Sequence, residues 1–270
     1  MGANWIRTNF DENVPKTDKI VNESRRANLR IMLVIDPLLH KQTYSKETYK
    51  TAYEQARWIA ERYRGKIEYY QLGNELGSTA LKGNWDGRTE ESYDPEKYKL
   101  VLAWVKGASA GIRLGDPDAK ILITDQWLHT GVFDMFARDG VDYDAIGWDW
   151  YNPFYDLTHI KYSEGEYFNL LEKLQSFKKE LWITEANRDH GSFPNNEKDQ
   201  AEYIEVSPNM CTAPGSLKGF SSMNLWTSRR KWMIITEVGA SSNSYRIINK
   251  NGISASQSLP ILPCGELLRN

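Results

Sequence analysis

Residues 67–75 read IEYYQLGNE. Apolar and aromatic side chains fill the run, a glycine ends it, and an Asn-Glu pair follows. An apolar run this short, bounded by turn residues, reads as a buried strand rather than a helix. Four other runs share the design. Residues 30–36 (RIMLVID), 120–125 (KILITD), 145–151 (AIGWDWY) and 181–185 (LWITE) each finish on a polar or acidic residue. Two further strands are expected at 5–10 and 218–225. Strands with apolar side chains on both faces belong to parallel sheets covered by helical crossovers.

Helical periodicity fills the intervals. It predicts helices over 17–29, over 44–63 with Ser45 as cap and Gly65 as stop, and over 94–112, opened by Asp94 and Pro95. Shorter helices are expected near 132–138, 164–179 and 198–206. Seven strands alternating with helices favour an α/β fold of the (β/α)8 TIM-barrel type, which takes about 250 residues. No glycine-rich phosphate loop follows any strand, which counts against a nucleotide-binding sheet. No linker or internal repeat is evident. The reading is one barrel over residues 1–225, followed by an irregular C-terminal tail over 226–270.

Composition narrows the function classes. With 34 Lys and Arg against 36 Asp and Glu, the net charge is -2, and no basic run forms. Neither nucleic acid nor an anionic membrane surface is an expected partner. No apolar stretch approaches the roughly 18 residues of a membrane span. Cys211 and Cys264, and the scattered His40, His129, His159 and His190, show no metal-ligand spacing. No metal or cofactor is expected. Ten Trp and fifteen Tyr suit a large core, and some of them suit the apolar face of a sugar. The oligomeric state is not encoded. The N-terminus carries no apolar signal region, so secretion would require a leader absent from this sequence.

A parallel barrel collects its reactive groups at the C-terminal strand ends. An isolated acid there often caps the next helix, and Asp36 and Asp125 are read that way. Glu75 and Glu185 end two well-separated strands, so they can face each other across the barrel mouth. Two facing carboxyl groups are the equipment of glycosidic cleavage: one protonates the leaving oxygen while the other attacks the anomeric carbon.

The sequence here resembles clan A glycoside hydrolases. QLGNEL (71–76) looks like their strand-four signature, whose Asn-Glu pair carries the acid/base. WITEA (182–186) looks like their strand-seven signature, whose Glu is the nucleophile. The resemblance covers about residues 3–220 in element order. It implies that Glu75 is the acid/base and Glu185 the nucleophile. Arg7 then supports the nucleophile, Asn74 binds the sugar 2-hydroxyl, and Tyr151 contacts the nucleophile. Asp149 stands where many members have His. Trp85 and Trp127 sit where substrate-stacking aromatics would lie, and Trp226 matches the strand-eight tryptophan. MIITE (233–237) imitates the nucleophile motif, but choosing Glu237 would leave Glu185 on one strand too many.

Two departures follow from the same alignment. With Glu75 ending strand four, the runs 5–10 and 30–36 become strands two and three. Strand one is then missing, and a gap is expected beside 5–10. After Phe220 the sequence leaves the family pattern, as a shifted reading frame would produce, and the last β/α unit is doubtful. The expected activity is retaining hydrolysis of a β-linked poly- or oligosaccharide. The rival is a non-catalytic carbohydrate-binding barrel or an inactive truncated hydrolase.

Overall fold

The computed structural model describes residues 4–37, 45–151 and 157–186, with the backbone of 219–227, 230–236, 244–248 and 254–258. The fold is an incomplete (β/α)8 barrel. Its ring is built from β1 (Trp5–Asn9), β2 (Arg30–Ile35), β3 (Tyr69–Leu72), β4 (Lys120–Gln126) and β5 (Ala145–Trp150). A small hairpin follows, of β6 (Ile160–Ser163) and β7 (Glu166–Phe168), and then β8 (Glu180–Ala186), β9 (Gly219–Thr227) and β10 (Arg230–Thr236). The ring order is β1-β10-β9-β8-β5-β4-β3-β2, closed. Neighbours from β1 through β5, and on to β8 and β9, pair in parallel.

The gap expected beside β1 is therefore occupied. β10 runs antiparallel to β9 and to β1, meeting β1 at Trp5↔Ile235. An open edge with unpaired N–H and C=O groups is a template for any available strand. A two-residue turn suffices to reverse into an antiparallel neighbour, whereas a parallel one needs a crossover of a dozen residues or more. The segment expected to be irregular also carries β11 (Ser244–Ile248), paired antiparallel with β12 (Ser254–Ser258). The expected boundary at residue 225 falls inside β9.

The helices are α1 (Val14–Arg26), α2 (Ser45–Tyr63), α3 (Pro95–Gly115), α4 (Gly131–Arg138) and α5 (Leu170–Ser176). Asp94 caps α3 as its sequence suggests, accepting from the N–H groups of Glu96 and Lys97. The helix expected from residue 164 is replaced by the β6–β7 hairpin and the shorter α5. Gly165 turns that hairpin with φ +72°, a conformation glycine adopts without steric penalty. The helix expected at 198–206 lies outside the described residues.

Period 2 sorts the interior of the barrel into layers. Trp5, Met32, Tyr69, Leu122, Ala145 and Trp182 form one buried apolar cluster near the N-terminal strand ends. One step further along the same strands most inner positions turn polar, Val34 on β2 excepted. Arg7, Gln71, Thr124 and Thr184 are all buried there. Gly147 completes this layer, where a Cβ would stand 2.7 Å from methyl groups of both Thr124 and Thr184. The alternate positions, among them Leu33, Tyr70, Ile123, Ile146, Trp148 and Ile183, face outward into the core shared with the helices. An apolar plug thus lies beneath a polar plate, and the plate is the floor of the mouth.

Outside the ring, α3 crosses α2 on its glycines. A Cβ at Gly107 would fall 2.2 Å from Tyr49 O, and one at Gly111 2.4 Å from Tyr53 O. The two backbones are in direct contact.

Candidate active site

Arg7 projects from the polar plate on β1 and organises the mouth. Its Nε donates to Gln71 Oε1, its Nη1 to Glu185 Oε1 at 2.6 Å and its Nη2 to Asn74 Oδ1 at 2.7 Å. The guanidinium fork matches such a set of acceptors. Gln71 also donates to Asn74 Oδ1 at 3.3 Å. With two donors aimed at Oδ1, Nδ2 is the donor end of the Asn74 amide.

Glu185 owes its direction to an irregularity in β8. Trp148 pairs with Ile183 but Asp149 pairs with Glu185, so the register slips by one residue. Strict alternation would put Thr184 inside and Glu185 outside. The bulge re-aims the side chain, a common device beside functional sites. Glu185 then receives Arg7 on Oε1 and the Tyr151 hydroxyl on Oε2.

Glu75 sits on strained backbone just past β3, at φ 49° and ψ 47°. That left-handed conformation costs about 1–3 kcal/mol for a residue with a side chain. Three bonds hold it in place. The Glu75 N–H donates to Thr124 Oγ1 at 3.1 Å, Gln126 Nε2 donates to Glu75 Oε2 at 2.7 Å, and the Gly77 N–H donates to Asp125 Oδ2 at 2.8 Å. Burial first, then the charges of Glu185 and Asp125, push the Glu75 carboxyl up to about 7.

The two glutamates are therefore unequal. Glu185 is wired to a cation and a phenol, whereas Glu75 lies in a desolvated place beside its negative charge. Asp149 is enclosed deeper. Thr184 Oγ1 donates to its Oδ1 at 2.6 Å, and Oδ2 has no hydrogen-bond partner. Burial, then the charge of Glu185, holds this carboxyl well above the usual carboxylate range, against the pull of Arg7.

The structure thus brings Arg7, Asn74, Tyr151 and Glu185 together by direct bonds, with Glu75 and Asp149 as electrostatic neighbours. The two tryptophans make no hydrogen bond to this cluster among the described residues. Trp127, at φ 49°, stacks on Trp150 with ring centroids 5.8 Å apart. Trp85 is 55% exposed in the loop after Glu75. Trp226 lies in β9 opposite Lys231, and its side chain is outside the described residues, as is Glu237. Asp36 accepts from Asn9 Nδ2 at 2.9 Å.

Sequence reasoning missed the supporting network. Asp125, read as a helix cap, instead anchors the loop after Glu75. His129 Nδ1 lies 2.8 Å from Asp125 Oδ1 and 3.1 Å from Ser78 Oγ, and Gln126 bridges Ser78 to Glu75. A signal existed in the polar residues set within the apolar strand runs, at Gln71 and Thr124. Among the described residues no group of three or more His, Cys, Asp or Glu could hold a metal ion. Among them, too, no helix is long and apolar enough to cross a membrane.

No family profile and no curated protein sequence matches the chain. Solved structures do. The Penicillium canescens endo-1,4-beta-xylanase XylE is similar with a TM-score of 0.52 and 15% identity, over 75% of this chain and 65% of that one. Xylanase 10B from Thermotoga maritima gives 0.56 and 15%, over 83% and 74%. The family 1 beta-glucosidase from the same organism gives 0.55 and 13%, over 77% and 67%. The chain spans slightly less than two thirds of the length of the Penicillium enzyme. The fold these likenesses define is the TIM barrel. At such identity they speak for the fold alone.

Proposed function

We propose that the protein is a retaining glycoside hydrolase acting on β-linked poly- or oligosaccharides, with Glu185 as nucleophile and Glu75 as general acid/base. The observation that carries this reading is the asymmetry of the two carboxyl groups. Arg7 and Tyr151 donate to Glu185 and hold it in place, and a carboxylate so held can attack an anomeric carbon. Burial beside that charge favours a protonated Glu75, which can protonate a leaving oxygen. Once Glu185 is consumed in a glycosyl-enzyme bond its charge disappears. Glu75 then ionises more easily and can take a proton from the incoming water.

The remaining expectations take places around this pair. Asn74, oriented by Arg7 and Gln71, offers Nδ2 to the sugar hydroxyl beside the anomeric carbon. Trp85 and Trp127 offer ring faces to neighbouring sugar units. Tyr151 holds Glu185 at the moment of attack. Residues 1–225 carry this machinery in the proposal, and both carboxyl groups work without a cofactor.

The test is a screen of aryl β-glycosides and plant and microbial polysaccharides with the purified protein, beside Glu75→Gln and Glu185→Gln. Hydrolysis lost in both variants supports the proposal. Saccharide binding without hydrolysis would favour the carbohydrate-binding barrel. Hydrolysis surviving in Glu185→Gln overturns the assignment.

A further inference from the structure

We propose that Asp149 is a positioning residue, kept as a neutral carboxylic acid whose O–H on Oδ2 donates to the carboxylate of Glu75. The inference rests on the reading of Glu75 as acid/base and names what tunes it.

The geometry is that of an acid with one satisfied oxygen. Asp149 is 1% exposed; Thr184 Oγ1 occupies its Oδ1, and Oδ2 is buried with no partner. A buried carboxylate with one bare oxygen is expensive, and such a group neutralises by keeping its proton. The proton then needs an acceptor. Among the described residues, the charged groups that act most on Asp149 are Glu185 from β8, Arg7 from β1 and Glu75 from the end of β3. Arg7 is a donor, spent on Gln71, Glu185 and Asn74. Glu185 already accepts on both oxygens, from Arg7 and from Tyr151. Glu75 has Gln126 on Oε2, so its Oε1 is the less occupied oxygen and the favoured acceptor. Such a bond would draw the Glu75 carboxyl down against burial and the charges of Glu185 and Asp125, the direction in which Asp149 acts on it, with His129 a smaller pull the same way.

A neutral donor fits the work of Glu75. In the first step Glu75 passes its own proton to the leaving oxygen, and the new carboxylate accepts the Asp149 O–H. In the second step Glu75 takes a proton from water while Asp149 keeps its own. No proton leaves Asp149 in either step. The histidine that the family resemblance places here could carry a positive charge beside Glu75, favouring its ionised form. A carboxylic acid supplies the hydrogen bond without that charge, so Glu75 still holds its proton near neutrality.

The test reads protons directly and does not depend on hydrolysis, so it can fail while the proposed activity stands, and the reverse. Side-chain carboxyl carbons are labelled in the whole protein and followed by 13C NMR from pH 4 to pH 9. The expected result is a protonated Asp149 throughout the range in which Glu75 titrates. Asp149→Asn, which retains a donor and adds no charge, should leave the Glu75 midpoint within about half a unit. Asp149→Ala, which removes the donor, should raise it. Two results overturn the proposal: an ionised Asp149 at pH 6 in the unaltered protein, or a fall of about one unit or more in the Glu75 midpoint in Asp149→Asn, the size expected on removing a neighbouring negative charge.

Discussion

Arg7 Nη1 stands 2.6 Å from Glu185 Oε1, joining two strands that are not neighbours in the ring. Both side chains are nearly enclosed, at 4% and 12% exposure. A pair this buried contributes little net stability while intact, yet removing one partner strands the other.

Arg7→Met should therefore damage both fold and chemistry. Loss of one member of a buried pair costs about 3–5 kcal/mol, visible as a lower denaturant midpoint. kcat/KM should fall by about 10²-fold or more, because the nucleophile and Asn74 lose a shared anchor. Arg7→Lys should recover part of the stability and little of the activity, since a compact ammonium lacks the rigid fork that spans these three acceptors. Equal recovery of both by lysine would remove the positioning argument.

Azide separates the two glutamates. In Glu185→Ala, azide can occupy the vacated space and attack directly, giving a glycosyl azide of inverted configuration. In Glu75→Ala, azide should intercept the glycosyl-enzyme and give retained configuration, with substrates of good leaving group spared in the first step. NMR of the products reads the outcome. The opposite pairing would exchange the roles.

The pH dependence follows from Glu75. Its carboxyl is raised to about 7, and the acid step needs the proton, so kcat/KM should decline as pH rises through about 7. Stability shares this sign. A carboxyl raised on folding binds more protons folded than unfolded, so stability falls as pH climbs from about 4.3, the unfolded value, towards the folded one. Glu75→Gln should flatten that part of the stability curve, measured by denaturation at pH 5 and pH 8. An unchanged slope would show that Glu75 titrates normally in the fold.

Gly111→Ala tests the helix contact. Alanine is the better helix former by about 1 kcal/mol, which alone predicts a gain. The added Cβ, however, would sit 2.4 Å from Tyr53 O and 2.8 Å from Arg57 N, and backbone cannot swing aside. Overpacking costs about 1–3 kcal/mol, so the net effect should be a loss, read as a lower Tm.

Much of the ring was legible because its signals are local. RIMLVID, KILITD and AIGWDWY are apolar on both faces, and Asp94-Pro95 announces the start of α3. The approach of Arg7 to Glu185 was legible only through motif resemblance, since no local property of Arg7 names an acceptor on β8. Three features were not legible. The β6–β7 hairpin competes with a helical pattern of similar strength around Glu164–Lys179, and Gly165 decides between them. The bulge at Asp149 and Glu185 exists only once two strands meet. The antiparallel β10 depends on an edge left by residues more than two hundred positions away, and such pairing has no footprint in a local window.

That pairing has a consequence for synthesis. On the ribosome β1 emerges before the rest of the ring, while the strand that meets Trp5 near Ile235 emerges only after every other strand of the ring. Until then the outer edge of β1 stays open to foreign chains. Contacts between such distant segments form slowly, and exposed edges invite aggregation in the interval. The nascent chain is thus a natural client for holding chaperones, and its yield should depend on the pace at which its final strands are made.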